Sequence, residues 1–424
     1  MITMRNIKLP YHTSEVACSD ARINSCRLVE PPSPAPLKDP GARLHAILKE
    51  HLHILVDNPY LSGKTIAIAI SDDTRPIPYE ILLPPVINIL LNDGVNIPNI
   101  RLFIASGTHK PMEQSQIGKM LPIPEIAGIE IVRHDCDNRE CLINLGKTPY
   151  GTDVWINKEY YQSDFKVVIG NIEPHHFMGY SGGVKTAAIG LAGRSTIEQN
   201  HAMLGQERTL PGYYHDNPMR QDVEAIGDFI GIDLAINTVM TPDFKIIDVI
   251  VDTPRKVMLA GIEICKQSMQ MAGREQFDLV IASAGGYPKD INLYQAQKAI
   301  THALLFCKPG GVVILAAACS QGIGSDRLED FMRGISNRDE AIKLFRSLGF
   351  QIGPHKAYQL ALQSKYAKII LISNLSADTT RNYFMEPADD LDKAVSMALE
   401  HLPPNHSIAV LPHATHTIPY WPHM

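Results

Sequence analysis

The segment NIEPHHFMGYSGGVKT, residues 171–186, brings together side chains that could do chemistry. An imidazole such as that of His175 exchanges protons near neutral pH, and the SGG turn after it lies between a predicted strand and a predicted helix. Backbone N–H groups at such a turn can bind a phosphate, and Lys185 adds a positive charge beside it. The three turn residues are Ser181, Gly182 and Gly183. Their spacing is neither a Walker A loop nor GxGxxG, so the segment predicts a phosphate-bearing ligand, the alternative being a tight turn with solvated side chains.

Two further polar segments follow apolar runs, SDDTRP at 71–76 and SGTHKPM at 106–112. The Arg75 guanidinium could bind a substrate carboxylate bidentately, and Asp72 could accept from a ribose hydroxyl or hold Arg75 in place. His109 lies at the predicted end of a strand, where it could act in catalysis. The alternatives are a turn whose charged residues pair with one another and a histidine that is merely at the surface.

Other candidate residues lie on predicted helices. His201 follows Lys185 by sixteen residues and could be a metal ligand or an ordinary core or surface histidine. In the second half of the chain, YPKDINLYQAQK places Tyr294 beside Gln295 and Lys298, which share one helix face at i, i+3 spacing. These side chains could bind a carboxylate, or they could form a solvated helix face.

The cysteines predict no disulfide framework. There are seven, an odd number, and no CxxC pair occurs, which is typical of reduced thiols. His134, Cys136 and Cys141 are close enough to suggest a metal site, but their spacing matches no standard one. We interpret this stretch as a structural loop.

Three short apolar runs each end in one of the polar segments. They are TIAIAI at 65–70, IRLFIA at 100–105 and FKVVIG at 165–170. Alternation of such strands with helical patterns, such as YEILLPPVINILLNDG, predicts a Rossmann-like parallel sheet. Ligands bind at the carboxyl edge of such sheets, so we expect the polar segments to meet there.

A second series of predicted strands and helices begins near residue 277 with FDLVIAS and continues through GGVVILAAA, AKIILIS and SIAVLPH. The fold class predicted is α/β with two domains, at 1–270 and 271–424, and an active site in the cleft between them. The stretch 255–276 has a helical pattern and is the expected hinge. Within the first domain, a hairpin at the N-terminus and a Pro-rich connection at 30–40 are expected before the first full unit of strand and helix.

Composition excludes several classes of function. The chain has 424 residues, 45% of them hydrophobic and 20% charged, and a formal net charge of −6. No basic stripe is present that would bind nucleic acid, and no apolar run is long enough to span a membrane. The first residues lack the order of a secretory signal, so we expect a cytoplasmic enzyme.

Five motifs in order resemble the nickel-dependent lactate racemase family. They are SDDTRP, GTH, EPHxxxGxSGGxK, a histidine sixteen residues after that lysine, and GGYPKDINLYQAxK. The resemblance spans residues 65–300 in motifs and most of the chain in the order of elements. Where His176 follows the motif histidine, an apolar residue is more usual in the family.

The resemblance implies a nickel-pincer nucleotide, the mononucleotide of pyridinium-3-thioamide-5-thiocarboxylic acid. It implies that Lys185 forms the covalent thioamide link, that His201 is the protein ligand of nickel, and that the SGG turn lies near the cofactor phosphate. His109 and His175 would be the acid/base pair. The substrate carboxylate would be held by Arg75, Tyr294, Gln295 and Lys298. Separate biosynthesis enzymes would have to supply the cofactor.

The reaction implied is racemisation or epimerisation of a 2-hydroxyacid. Proton removal at C2 is difficult because that hydrogen is barely acidic beside a carboxylate. We therefore hypothesise reversible hydride transfer from C2 to the cofactor through a planar 2-ketoacid, with the two histidines moving the hydroxyl proton. Two alternatives stay open: a nickel-free pyridine-nucleotide or sugar-phosphate enzyme, and a non-catalytic nucleotide-binding homologue.

Overall fold

The computed structural model describes residues 7–23, 25–30, 32, 34–55, 61–269 and 275–419, with the backbone alone for residues 51–55. In chain order, the strands are β1 (Ile7–Tyr11), β2 (Ser14–Cys18), β3 (Arg27–Leu28), β4 (Ile66–Ser71), β5 (Ile100–Ala105), β6 (Glu130–Arg133), β7 (Leu142–Lys147), β8 (Asp153–Asn157), β9 (Phe165–Asn171), β10 (Pro174–His175), β11 (Gly179–Tyr180), β12 (Leu234–Met240), β13 (Ile246–Asp252), β14 (Phe277–Ser283), β15 (Cys307–Ala316), β16 (Lys368–Ile372), β17 (Glu386–Ala388) and β18 (Ile408–Leu411).

The helices are α1 (Pro40–Leu55), α2 (Tyr79–Asn92), α3 (Gln114–Met120), α4 (Lys158–Gln162), α5 (Lys185–Ala188), α6 (Arg194–His201), α7 (Pro218–Ile230), α8 (Pro254–Met269), α9 (Leu293–Leu305), α10 (Asp326–Met332), α11 (Arg338–Leu348), α12 (Pro354–Tyr366), α13 (Ala377–Asn382) and α14 (Leu391–Leu399). None of the helices within the described residues combines the length and the apolarity that crossing a membrane requires. The helix predicted over 255–276 corresponds to α8, and its residues 270–274 lie outside the described part of the chain.

Contacts divide the chain into two compact units. The larger unit consists of residues 33–268, and the smaller unit consists of residues 1–32 together with 269–424. Each unit is built on its own six-stranded sheet. The predicted α/β class with parallel sheets is thereby confirmed.

The sheet of the larger unit has the strand order β13-β12-β9-β4-β5-β6. Its neighbours pair in parallel except β12 and β13, which pair antiparallel at one edge. The three apolar runs predicted to be strands are β4, β5 and β9, which lie side by side at the centre. In β4, Ile66, Ile68 and Ile70 are buried in the core that includes α1 and α2. Ala67 and Ala69 point to the other face by strand alternation, and α5 contacts β4 there.

The order of the strands sets where a ligand can bind. The chain runs from β4 outward to β5 and β6, then returns to β9 on the other side of β4. The loops after β4 and β9 therefore diverge at the switch point of the sheet, and the carboxyl edge at this point is where open α/β sheets bind ligands. Both loops carry residues from the motifs identified in the sequence.

The smaller unit contains a parallel sheet in the order β17-β16-β15-β14-β18-β3. One face packs with α9 and α12, through residues such as Leu293 and Leu360. The other face packs with α14 and with the hairpin of β1 and β2, through Ile7 and Leu9. The four strands predicted from residue 277 onward correspond to β14, β15, β16 and β18.

The N-terminal residues 1–32 group with the unit that contains residues 269–424, whereas the predicted boundary at 270 placed them in the other domain. The hairpin predicted there is present, but it belongs to the smaller unit, and β3 extends that unit's sheet beside β18. The physical reason is burial. Ile7 and Leu9 are 2% and 0% exposed because they pack on the face of β14 and β15. A pairing between segments so far apart in the chain leaves no local pattern in the sequence.

Asp290 fastens this hairpin to the sheet. Its carboxylate is fully buried, and Oδ2 accepts hydrogen bonds from the backbone N–H groups of His12 at 2.7 Å and Ala318 at 3.1 Å. Nearby, the Ser283 hydroxyl donates to the Pro10 carbonyl oxygen at 2.5 Å. The loop after β14 therefore holds the hairpin through polar contacts as well as through its apolar face.

We predict that Asp290→Ala destabilises the smaller unit. Two backbone N–H groups lose their acceptor, which costs about 2–4 kcal/mol and lowers the unfolding midpoint by several degrees. Differential scanning calorimetry measures the shift. Asp378→Ala is the control, since the Asp378 side chain is 96% exposed and should change stability by less than about 0.5 kcal/mol. Equal midpoints for the Asp290 variant and the unmodified protein would contradict the role of this carboxylate.

Candidate active site

The loops after β4 and β5 meet in a hydrogen-bonded pair. The Asp72 carboxylate is 5% exposed, and its Oδ2 lies 2.6 Å from Nδ1 of His109. The Thr74 hydroxyl donates to Oδ1 of Asp72 at 2.5 Å. Burial by itself would raise the pKa of Asp72, but the hydrogen bonds from His109 and Thr74 and the charge of Arg75 lower it below its usual value.

This pair fixes which nitrogen of His109 can take up a proton. Because the ionised carboxylate of Asp72 only accepts hydrogen bonds, Nδ1 of His109 carries the hydrogen and Nε2 holds the lone pair. The His109 side chain is 41% exposed, so this nitrogen is accessible. The Asp72 carboxylate is hydrogen-bonded to His109 and Thr74, and the contact with a ribose or with Arg75 that was assigned to it stays a prediction.

His175 has the opposite arrangement. It lies in the small hairpin of β10 and β11, where its Nδ1 accepts a hydrogen bond from the backbone N–H of Met178 at 3.2 Å. A backbone N–H can only donate, so the neutral ring of His175 carries its hydrogen on Nε2. At one edge of the sheet the structure therefore provides one histidine whose Nε2 can accept a proton and another whose Nε2–H can donate a hydrogen bond.

A row of aromatic rings joins His175 to His201. The centroid of the Phe177 ring lies 4.6 Å from that of His175 and 5.3 Å from that of His201, with edge-on geometry in both cases. His176 is 5% exposed and packs against His175 and Phe177 at 4.5 and 4.0 Å. His201 is the last residue of α6, as the sequence predicted for a helix. The two histidines assigned to different roles are thus neighbours of the same phenylalanine.

The polar groups of the SGG turn are largely used inside the protein. The Ser181 hydroxyl donates to the Asn171 carbonyl oxygen at 2.9 Å and accepts from the Glu173 backbone N–H at 3.1 Å. The Gly183 N–H donates to Oδ1 of Asn237 at 2.6 Å. Gly182 has φ +84°, and a Cβ there would lie 2.5 Å from the Ile172 side chain. These contacts fold the turn tightly, and the phosphate contact that was assigned to it stays a prediction.

Arg220, on α7, is the residue that closes this turn. It is fully buried, and its guanidinium donates to the carbonyl oxygens of Tyr180 at 3.0 Å and Gly182 at 3.1 Å. Its charge is balanced by Glu224, whose Oε1 lies 2.9 and 2.6 Å from Nε and Nη2. The Tyr214 hydroxyl donates to the same carboxylate oxygen at 3.0 Å.

Two other side chains near the start of α7 hold neighbouring parts of the site. The Asn217 amide donates to the Phe177 carbonyl oxygen at 2.8 Å, and its Oδ1 caps the helix. Asp222 is buried and accepts from the Asn200 amide at 2.8 Å, which ties α7 to the residue before His201. Thr148 and Thr152 donate to the same carboxylate at 2.5 and 2.8 Å.

Sequence reasoning missed α7, although a signal was present. Asn217 followed by Pro218 is a standard helix start, and Arg220, Asp222 and Glu224 then stand at spacings of two among apolar residues such as Met219, Val223 and Ile226. Charged residues on an apolar helix face are almost never buried unless they are paired. Such a helix is therefore a candidate for an internal polar network.

Lys185 is the first residue of α5 and is half-buried. Burial, with the nearby guanidinium groups of Arg75 and Arg220, lowers the pKa of its amine to about 7, and the Glu173 carboxylate acts in the opposite direction. Arg75 thus influences both Asp72 and Lys185. The structure therefore brings three predicted residues of the larger unit, Asp72, Arg75 and Lys185, close to one another.

In the smaller unit, Gln295 and Lys298 lie on one face of α9, as predicted, and the Lys298 amine donates to Oε1 of Gln295 at 2.5 Å. Tyr294 is half-buried and packs edge-on to His355 with 6.0 Å between ring centroids. Burial raises the pKa of its hydroxyl to about 12, so it stays protonated and can donate a hydrogen bond. The substrate contacts assigned to these three residues stay predictions.

In the loop around His134, the histidine is engaged with the backbone, and the interpretation of this stretch as a structural loop stays a prediction. The His134 ring is buried and bonds to the Ala192 carbonyl oxygen at 3.0 Å. Among the described residues, the metal-binding side chains that cluster here are Asp135, Cys136 and Asp137, without His134 or Cys141. Burial raises the pKa of the Cys136 thiol to about 11, and Asp137 pairs with Arg194 at 2.6 Å. A thiol that stays protonated is a poor metal ligand.

Comparison with known proteins decides the family. The lactate racemase N-terminal domain matches residues 11–210, and the lactate racemase C-terminal domain matches residues 272–418. The chain belongs to the lactate racemase family. This membership confirms the resemblance noted from the five motifs and places the chain among isomerases.

Two lactate racemases illustrate the relationship of this family member to others. The lactate racemase of Thermoanaerobacterium thermosaccharolyticum is 28% identical over 355 residues, which are 82% of this chain and 83% of that protein. That of Lactiplantibacillus plantarum is 28% identical over 358 residues, 81% of this chain and 84% of that protein.

Solved structures agree with the fold. The lactate racemase apoprotein from Thermoanaerobacterium thermosaccharolyticum superposes with a TM-score of 0.87 at 26% identity, over 98% of this chain and 100% of that one. A Thermotoga maritima protein shares the fold with a TM-score of 0.69 at 17% identity, over 90% of this chain and 99% of that one.

We predict that Lys185→Met stabilises the protein in a pH-dependent way. A lysine whose pKa is about 7 in the folded chain and 10.5 in the unfolded chain binds fewer protons when folded between these values. The contribution of Lys185 to stability therefore becomes less unfavourable as the pH rises, and the advantage of the variant is largest near pH 6. Urea unfolding at pH 6 and pH 9 measures the two differences.

Lys256→Met is the matched control, because that side chain is 68% exposed and its removal should give the same small difference at both pH values. A difference for Lys185→Met that does not change between pH 6 and pH 9 would show that the Lys185 amine is not perturbed.

Proposed function

We propose that this protein is a racemase or epimerase of a 2-hydroxyacid that works with a nickel-pincer nucleotide bound to Lys185. The observation that carries the proposal is the pair of histidines with opposite hydrogen positions. Nε2 of His109 can accept a proton, and the Nε2–H of the neutral His175 ring can donate a hydrogen bond. A reaction that interconverts two mirror-image substrates needs groups that can exchange these roles.

The residues present fit the proposed cofactor. The Lys185 amine has a pKa of about 7, so a large fraction is unprotonated at neutral pH and able to form a covalent bond. His201 offers an imidazole, a good nickel ligand. Among the described residues, no group of three metal-binding side chains includes His201. In this proposal His201 would hold the nickel ion from the side of the protein, and the cofactor would hold it from the other.

When bound, this cofactor would supply a reversible hydride acceptor for C2 of the substrate, which avoids the poorly stabilised carbanion of proton removal. His109, oriented by Asp72, would take the hydroxyl proton of one enantiomer, and His175, in its imidazolium form, would return a proton to the oxygen at C2 to give the other. The negative charge of Asp72 stabilises the His109 imidazolium that forms. Arg75 would hold the carboxylate while C2 becomes a planar 2-ketoacid, and the parts assigned to Tyr294, Gln295 and Lys298 are predictions of the same kind.

The contact proposed for the phosphate of the cofactor is less specific. Gly182, in the SGG turn, would approach the phosphate through its backbone, since Ser181 and Gly183 already have partners within the protein. The cofactor would come from separate biosynthesis enzymes. We also propose a cytoplasmic location, because all seven cysteines are free thiols, as is usual in a reducing compartment.

The test is the mass of the protein made in cells that also express the biosynthesis enzymes of the cofactor. We expect an adduct on the intact chain that maps to Lys185, with about one nickel per chain by elemental analysis. Lys185→Ala should lose the adduct, and His201→Ala should keep the adduct but lose most of the nickel. Lys256→Ala is the control and should keep both.

Two results would count against the proposal. An unmodified chain under these conditions would favour a nickel-free enzyme that binds a nucleotide noncovalently. A loaded chain that leaves every 2-hydroxyacid unchanged would favour a non-catalytic homologue.

A further inference from the structure

Arg220 is a charged residue of this site that the proposed reaction leaves unused. It is fully buried, so it cannot touch a substrate. A buried ion pair such as Arg220 and Glu224 is also weak evidence for stability, since the desolvation cost of two charges offsets their attraction. The position of the guanidinium next to the turn before Lys185 suggests another role.

We propose that Arg220 is a positioning residue for Lys185, which closes the turn at Tyr180–Gly183 and holds the lysine amine where it acts as a nucleophile at neutral pH. The proposal rests on the proposed function, in which Lys185 forms the covalent bond to the cofactor. The positioning itself is a property of the protein alone and can be measured without the cofactor.

The hydrogen bonds show how Arg220 reaches Lys185. The Gly182 carbonyl oxygen accepts from Nη2 of Arg220 at 3.1 Å and from the backbone N–H of Lys185 at 3.3 Å. Nη1 of Arg220 binds the Tyr180 carbonyl oxygen on the other side of the turn at 3.0 Å. One planar group therefore fixes both ends of the turn and the first residue of α5.

The turn has no room to adjust elsewhere. A Cβ on Gly183 would lie 2.6 Å from the Met258 side chain and 3.1 Å from Nη2 of Arg220. A Cβ on Gly179 would lie 1.7 Å from the Tyr213 carbonyl oxygen. The backbone from β11 to α5 is therefore packed against Arg220 and α8 at Gly183 and against the loop before α7 at Gly179.

The charges around the Lys185 amine come from each element packed against α5. Arg75 lies after β4, Glu173 lies after β9, and Arg220 lies on α7. Two guanidinium groups outweigh one carboxylate, and a nearby cation disfavours the ammonium form of a lysine. Burial is the largest cause of the lowered pKa of Lys185, and the cations add to it, as in enzymes that use a desolvated lysine beside another cation as nucleophile.

The experiment uses the protein without cofactor and acetyl N-hydroxysuccinimide ester as probe, at low concentration. The lone pair of the Lys185 amine attacks the ester carbonyl, the new N–C bond replaces the C–O bond to N-hydroxysuccinimide, and the amine proton goes to solvent. The rate of acetylation at Lys185 is followed by peptide mass spectrometry between pH 5.5 and 9.5. In the unmodified protein we expect half-maximal reactivity near pH 7.

Arg220→Gln should raise this midpoint by about one pH unit, so that the rate at pH 7 falls by about five- to tenfold. Because this change leaves Glu224 as a buried unpaired carboxylate, Arg220→Gln with Glu224→Gln is the second variant, with the same expected direction. Arg255→Gln is the matched control, since that side chain is 55% exposed and pairs with Asp228. It should leave the midpoint unchanged.

A midpoint near pH 10 in the unmodified protein would overturn the proposal, whatever the variants do. So would an unchanged midpoint in a folded Arg220 variant, with folding judged from the circular dichroism spectrum and a cooperative unfolding transition. A midpoint near 7 in a protein that never acquires the adduct would leave this inference standing and would refute the proposed function. The two ideas therefore fail in different experiments.

Discussion

The polar network at the start of α7 is the constraint on which the rest of the site depends. Arg220 holds the turn that ends at Lys185, Asn217 holds the backbone of Phe177 next to His175, and Asp222 holds the residue before His201. Each contact is made by a side chain that is fully buried. Burying a charge is costly, and losing one member of such a pair typically costs about 3–5 kcal/mol. The network therefore holds the loops of the site in one arrangement. A helix with apolar side chains at these positions could have made the folded protein more stable.

A fixed arrangement matters because the two histidines depend on backbone geometry. His175 keeps its hydrogen on Nε2 only while the Met178 N–H points at its other nitrogen, and that contact exists within a hairpin of two-residue strands. His109 depends instead on a buried carboxylate from a neighbouring strand. One histidine is oriented by the protein backbone and the other by a charge. In both cases the orienting group is placed by the parallel sheet, whose strands β4, β5 and β9 all end at this edge.

The central strands and the membership of the family could be predicted from the sequence because both leave local marks. An apolar run such as FKVVIG followed by EPHHFMGYSGGVK is visible without knowledge of any distant residue. The contacts of Asp72 with His109, and of Arg220 with the SGG turn, join residues 37 and 38 positions apart or more, and no periodicity records them. The same holds for the N-terminal hairpin, whose partner strands begin at residue 277. Ser181 shows a further limit, because a hydroxyl in a glycine-rich turn bonds equally well to a phosphate or to its own backbone.

The measurement that tests the central claim most directly follows the hydrogen at C2. The cofactor-loaded protein is given a single enantiomer of a 2-hydroxyacid that it turns over, deuterated at C2, in ordinary water. If the two histidines move only the hydroxyl proton and C2 exchanges a hydride, the product keeps its deuterium and the rate falls through a primary isotope effect. Rapid replacement of the deuterium by solvent hydrogen would contradict the account, because it would mean that a histidine removes a proton from C2 itself.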